Sequence, residues 1–165
     1  MVELVKELLR LFGAPAAGAR HRIAESVLRL AEVGDQQVRL ADGAIVGRCA
    51  AGDGPSHLAA HPDGTRIYSA NSWDGTLSCL SADGVRLAQS FSGGWAHAID
   101  ISPDGLWIYV ANFLDDTLAV FDAESLQRLR VLSTDPYPHG LDVAADGAVD
   151  VVRRRCESPA NPLAL

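Results

Sequence analysis

The sequence is poor in the features that direct a chain to a membrane or to nucleic acid. No uninterrupted apolar run approaches the roughly 18–20 residues a membrane-spanning helix needs. Basic residues are outnumbered, with 14 Lys+Arg against 21 Asp+Glu and a formal charge of −7. The longest basic run is Arg153–Arg155, so no cationic face for nucleic acid is implied. Lys6 is the single lysine, an arginine bias that carries no functional information. Cysteine is scarce: Cys49, Cys79 and Cys156 are odd in number and lack C-x-x-C spacing, so neither a disulfide framework nor a zinc knuckle is implied. They read as free thiols in a reducing compartment. Glu3, Lys6, Glu7 and Arg10 interrupt the apolar core that a secretory signal requires, and a cytoplasmic location is expected. Local catalytic signatures are missing too. There is no G-x-S-x-G elbow, H-E-x-x-H, G-x-x-x-x-G-K-[ST] or G-x-G-x-x-G, so no catalytic residue, metal or cofactor is assigned.

What remains is 165 residues, 48% hydrophobic and 21% charged, the composition of one ordinary soluble domain. Compared with itself, the chain repeats. Residues 62–76 read PDGTRIYSANSWDGT and residues 103–117 read PDGLWIYVANFLDDT, so nine of fifteen positions recur after 41 residues. The same spacing relates Ala41-Asp42-Gly43 to Ala82-Asp83-Gly84. Ala96-His97-Ala98-Ile99-Asp100-Ile101 returns 42 positions later as Pro138-His139-Gly140-Leu141-Asp142-Val143. Within each unit, short apolar runs alternate with Asp-Gly pairs, which favour the φ > 0 geometry of tight turns. In one unit the predicted strands are Leu58–Ala60, Ile67–Ala70, Leu77–Leu80 and Val85–Phe91. In the next they are Ala98–Ile101, Ile108–Ala111, Thr117–Asp122 and Arg128–Leu132. Four antiparallel strands in about 41 residues is the arithmetic of a β-propeller blade. The expected fold is all-β: a partial β-propeller of about three four-stranded blades.

Asp104-Gly105, Ile108-Tyr109-Val110-Ala111-Asn112 and Asp116-Thr117-Leu118-Ala119-Val120-Phe121-Asp122 resemble the YVTN-type β-propeller repeat, a WD40-like repeat of bacterial and archaeal proteins, over about residues 38–152. Gly52-Asp53-Gly54-Pro55-Ser56-His57-Leu58 through Asp63-Gly64 is similar to a stretch of the seven-bladed lactonase family related to 6-phosphogluconolactonase. That second resemblance implies an Arg before the His and a Glu after the Tyr-x-x-Asn strand. This chain has Ser56 and Ser72 at those places.

The organisation expected is an N-terminal helix and linker over 1–20, propeller blades over 21–152 and an irregular tail over 153–165. Val2, Leu4, Val5, Leu8, Leu9 and Phe12 recur at helical spacing before Gly13 and Pro15, which predicts a short amphipathic helix. Residues 20–33 fit either a helix or a strand. A ring needs four to eight blades, so the exposed blade edges call for a cover. Two chains could close a six-bladed ring as a homodimer. Alternatively the chain is a truncated propeller without independent function.

In an up-and-down blade, the start of the innermost strand and the loop between the second and third strands lie at one end. His57, His97 and His139 stand at innermost strands, Trp95 and Tyr137 stand near two of them, and Trp73 lies in a second-to-third loop. These six are the candidate ligand-binding residues, because concave channel mouths with a few polar groups are the default sites. Asp63, Asp83, Asp104 and Asp146 precede Gly and read as turn formers. Asn71 and Asn112 read as strand-end hydrogen-bonders. A metal reading requires three histidines to converge, and His57 is one position out of the repeat register. The expected function is a binding or scaffold module for a protein or small ligand. The alternative is a lactonase-like small-molecule hydrolase.

Overall fold

The computed structural model describes residues 26–31, 34–39 and 45–153. The predicted helix over 2–12 and the tail beyond Arg153 lie outside them. Thirteen strands run in chain order: β1 (Ser26–Ala31), β2 (Gly34–Arg39), β3 (Ile45–Cys49), β4 (Pro55–Ala60), β5 (Arg66–Asn71), β6 (Thr76–Ser81) and β7 (Arg86–Phe91), then β8 (Ala96–Ile101), β9 (Trp107–Asn112), β10 (Thr117–Asp122), β11 (Arg128–Ser133), β12 (Pro138–Val143) and β13 (Val149–Arg153). They form a three-stranded sheet β1-β2-β3, two four-stranded blades β4-β5-β6-β7 and β8-β9-β10-β11, and a hairpin β12-β13. Every pairing is between neighbours in sequence and antiparallel, the arrangement of a partial propeller. Of the ambiguous residues 20–33, the described ones, Ser26–Ala31, are strand: β1 pairs with β2 from Ser26↔Arg39 to Ala31↔Gly34.

Turn chemistry explains where the strands stop. Gly64, Gly84, Gly105 and Gly147 all have φ between 75° and 87°. Each donates its N–H three residues back, to His61, Ser81, Ser102 and Ala144 respectively. The Asp63, Asp104 and Asp146 carboxylates accept the N–H two residues on, from Thr65, Leu106 and Ala148. These are the turns expected of Asp-Gly, made by an Asx bond and a left-handed glycine.

Burial is greatest in the middle strands of each blade and least in the outermost, with the innermost strand between them. In β5 and β6, Ile67, Tyr68, Ala70, Leu77, Cys79 and Leu80 are buried on both faces of the sheet. Strands β7 and β11 at the periphery are largely exposed. Period-2 alternation divides the buried residues between two blade seams. Tyr68, Ala70, Leu77 and Cys79 pack against Ile99, Ile108, Val110, Ala119 and Phe121 of the next blade. Ile67 and Leu80 pack on Cys49 of the preceding sheet. Cys49 and Cys79 are buried thiols, and burial pushes the Cys79 thiol up, away from the reactive thiolate. No helix among the described residues is long and apolar enough to cross a membrane.

Candidate functional site at the inner-strand rim

The three innermost strands begin alike. Each carries a β-bulge at its second residue: Ser56 between Pro55↔Asn71 and His57↔Ala70, His97 between Ala96↔Asn112 and Ala98↔Ala111, and His139 between Pro138↔Arg153 and Gly140↔Val152. Ser56 is therefore the structural counterpart of His97 and His139, which explains why His57 stands one position out of register. Bulges re-aim side chains at sheet ends. The residue preceding each bulged pair takes the left-handed conformation, with φ 63° at Gly54, 57° at Trp95 and 61° at Tyr137. Glycine does this freely, whereas a bulky aromatic residue is held there at a cost of roughly 1–2 kcal/mol.

The loops between second and third strands close over these starts. Ser72 and Trp73 donate their N–H groups to Gly54 and Asp53, and Phe113 and Leu114 repeat this with Trp95 and Gly94. Carboxylates secure the same junction. Asp74 accepts the Asp53 N–H at 2.8 Å, Asp115 accepts the Gly94 N–H at 2.6 Å, and Asp116 accepts the Tyr137 N–H at 2.8 Å.

The structure brings the three candidate histidines together. His97 and His139 meet through their Nε2 atoms at 3.2 Å, with ring centres 4.4 Å apart. The His57 ring lies edge-on to His97 at 5.0 Å. His57 Nδ1 is 2.8 Å from the His97 carbonyl oxygen, so Nδ1 carries the proton and donates. Ser56 Oγ donates to the same carbonyl at 2.8 Å. Phe113 joins the group, its ring centre 6.2 Å from His97, 6.3 Å from His139 and 5.2 Å from Tyr137. Phe113 is not among the six candidate residues read from the sequence. The signal was available, because Phe113 stands 41 residues after Ser72. Trp73 is 71% exposed and lies over Gly54, where an added Cβ would fall 2.5 Å from the indole Cγ. Trp95, 40% exposed, shares the rim through its backbone but makes no ring contact with the histidine group.

Ser72 is buried and its Oγ donates to the Ala96 carbonyl at 3.0 Å. The two serines standing where the lactonase resemblance implied Arg and Glu thus tie one blade to the next through backbone carbonyls. Asn71 and Asn112 are buried in polar clusters, Asn71 with Ser69, Thr76 and Ser78, and Asn112 with Ser92 and Thr117. Further along β8, the Asp100 carboxylate accepts the Val143 N–H of β12 at 2.8 Å. Burial pushes the Asp100 carboxyl above the ordinary carboxylate range and the nearby Asp142 charge adds to this, while the N–H groups of Ile101 and Val143 oppose it. A cavity of about 250 Å³ opens beside the rim against Thr134, Asp135, Pro138 and Val151, and its lining includes none of the histidines. No three His, Cys, Asp or Glu side chains converge as a metal cluster among the described residues.

The same architecture recurs in known proteins. By structure the chain is similar to hydrazine synthase from Kuenenia stuttgartiensis, with a TM-score of 0.76 and 22% identity over 83% of this chain and 41% of that one. It is also similar to a functionally unknown protein from Desulfotomaculum acetoxidans DSM 771, with a TM-score of 0.63 and 21% identity over 73% of this chain and 41% of the other. At that identity the likeness concerns the fold, and the chain spans about two-fifths of the length of either structure. No curated protein matches the sequence. The sequence model of the lactonase family, described as a 7-bladed β-propeller, matches residues 28–152, which takes in all the blades and the histidine rim. On that match, and with the propeller sheets it requires in place, this chain belongs to the seven-bladed β-propeller lactonase family.

Proposed function

We propose that the chain is a binding module whose inner-strand rim, formed by His57, His97, His139, Phe113, Trp95 and Tyr137, holds a small ligand or a segment of another protein. The observation that carries this reading is the backbone at Trp95 and Tyr137, which keeps aromatic side chains in a conformation that the equivalent Gly54 adopts freely. Strain of this kind is retained where a side chain has work to do. Half-exposed aromatics beside imidazoles offer stacking area and adaptable hydrogen bonding. The hydroxyls of Ser56 and Ser72 are engaged with backbone carbonyls, and serine supplies neither the charge nor the acid–base capacity of an Arg–Glu pair.

A second reading, lactone hydrolysis, is favoured by the family match and by the neighbouring imidazoles, which could act as general bases. Glucono-δ-lactone and simple γ-lactones followed in a pH-stat separate the two. The binding reading expects no turnover above buffer, with fragments of an aromatic library quenching Trp95 fluorescence in a background where Trp73→Phe and Trp107→Phe leave Trp95 as the single tryptophan, and losing that effect in Tyr137→Gly. Turnover abolished by His97→Ala would overturn it in favour of hydrolysis.

Self-association through blade edges belongs to the same proposal. The sheet β1-β2-β3 leads into β4 and holds the second, third and fourth strands of a blade, while β12-β13 holds a first and a second. A two-chain ring therefore sets β1 and β13 in competition for one strand position, and light scattering on the eluted protein distinguishes a 17.5 kDa monomer from its dimer.

A further inference from the structure

We propose that His97 and His139 form a two-imidazole site for a divalent transition-metal ion, held between their Nε2 atoms. This uses the same rim as the binding module but requires no organic ligand. The two nitrogens are 3.2 Å apart, on rings tilted by 57° with centres 4.4 Å apart. Without an ion, a single N–H aimed at the opposite lone pair is the one favourable way for neutral rings to share that space. The same separation suits two ligands of one ion. An ion about 2.05 Å from each nitrogen would see them at an angle of about 100°, near the tetrahedral value.

Three further features hold the pair in place. Both histidines sit on β-bulges that aim them to the same side of adjoining strands. The His97 carbonyl receives both Ser56 Oγ and His57 Nδ1 at 2.8 Å, so the backbone behind its ring is fixed from the neighbouring blade. Phe113 stands 6.2 and 6.3 Å from the two rings and restricts their rotation. The charge at this end also favours a cation, since Asp53, Asp74, Asp115 and Asp116 all belong to the loops that close the rim. Imidazole nitrogen selects zinc, copper, nickel or iron over magnesium and calcium. With two protein ligands among the described residues, a four-coordinate ion keeps two positions for water or an exogenous donor, one more than a three-ligand open site.

The test is a calorimetric titration of Zn²⁺ into the full chain after chelator treatment, with Cu²⁺ bound in parallel and examined by electron paramagnetic resonance. One ion per chain is expected, with imidazole nitrogen couplings in the copper spectrum. Loss of an outer-shell partner alone costs about 10–100-fold in affinity. His97→Phe and His139→Phe, which keep a ring in place, are each expected to weaken Zn²⁺ by at least the upper end of that range. Failure of the wild-type chain to bind millimolar Zn²⁺, or binding unchanged in both variants, overturns the proposal. A copper spectrum without imidazole couplings overturns it independently of whether the variants fold. Because the probe is the metal alone, fragment binding at Trp95 and Tyr137 can fail or succeed separately.

Discussion

Replacing Tyr68 with Phe removes one hydroxyl from the seam between the two complete blades, and its effect should change sign with pH. The Tyr68 ring is fully buried and its hydroxyl donates to the Ala123 carbonyl of the next blade at 3.0 Å. A bond of this kind contributes about 1 kcal/mol net. The acceptor is not abandoned in the variant, since Arg66 Nη1 lies 3.4 Å from the same oxygen, so the loss belongs near that figure and not at the higher cost of an orphaned carbonyl. Burial also pushes the phenol up to about 12 from its ordinary 10; the Arg66 cation opposes the shift, and Cys79, Asp63 and Glu124 add to it. Between those values the folded chain keeps a proton that the unfolded chain has released, so stability falls as pH rises through the window. At about 1.36 kcal/mol per unit, the fall attributable to Tyr68 is about 2.7 kcal/mol by the top of the window. Phenylalanine has no such term. Tyr68→Phe should be less stable than wild type by about 1 kcal/mol at pH 8, and more stable by about 1 kcal/mol at pH 12. Urea unfolding followed by tryptophan fluorescence at pH 8, 10, 11 and 12 measures the difference, in which other titrating groups largely cancel. A difference that stays constant across this range would refute the assignment of Tyr68 to a dry interblade seam.

Other outcomes follow from the same geometry. Gly75 has φ 67° and an added Cβ would collide with the Gly93 carbonyl oxygen, so Gly75→Ala should destabilise by more than about 1 kcal/mol in the same unfolding assay. Asp100 has a raised carboxyl, so the stability it contributes is present when it is protonated and is lost as pH rises through its folded value. Asp100→Asn should flatten that part of the pH–stability curve, with one hydrogen bond lost at every pH, since the Ile101 and Val143 N–H groups go to different carboxylate oxygens and the amide keeps a single acceptor. The opposite sign is expected at Asp104, where Ser102 and Leu106 hold the carboxyl low and acid removes the contribution, which Asp104→Asn would reveal as a weakened acid limb.

Much of the fold was legible because the repeat states it twice. The predicted Thr117–Asp122 strand is β10 residue for residue, and the Asp-Gly pairs marked the turns in which Gly64, Gly84, Gly105 and Gly147 take positive φ. Strand β1 could not be separated from a helix locally, since Val27, Leu30 and Ala31 suit either period; pairing with Gly34–Arg39 decides it. The rim was only half legible. Repeat register places histidines at strand starts, but the meeting of His97 and His139 depends on how blades 42 residues apart stack. The left-handed backbone at Trp95 and Tyr137 contradicts local preference, with Gly54 at the matching position as the single hint. Ser56 was read as a departure from a motif, whereas its place on the bulge makes it the clamp on His97.

The central claim is that three inner strands deliver their imidazoles to one rim. Long-range proton–nitrogen correlation of the histidine rings, combined with nuclear Overhauser contacts, tests it directly. The account predicts His57 protonated on Nδ1, as its bond to the His97 carbonyl requires, with ring-proton contacts joining His57 to His97 and His97 to His139. A His57 ring protonated on Nε2 alone, or the absence of contacts between His97 and His139, would contradict it.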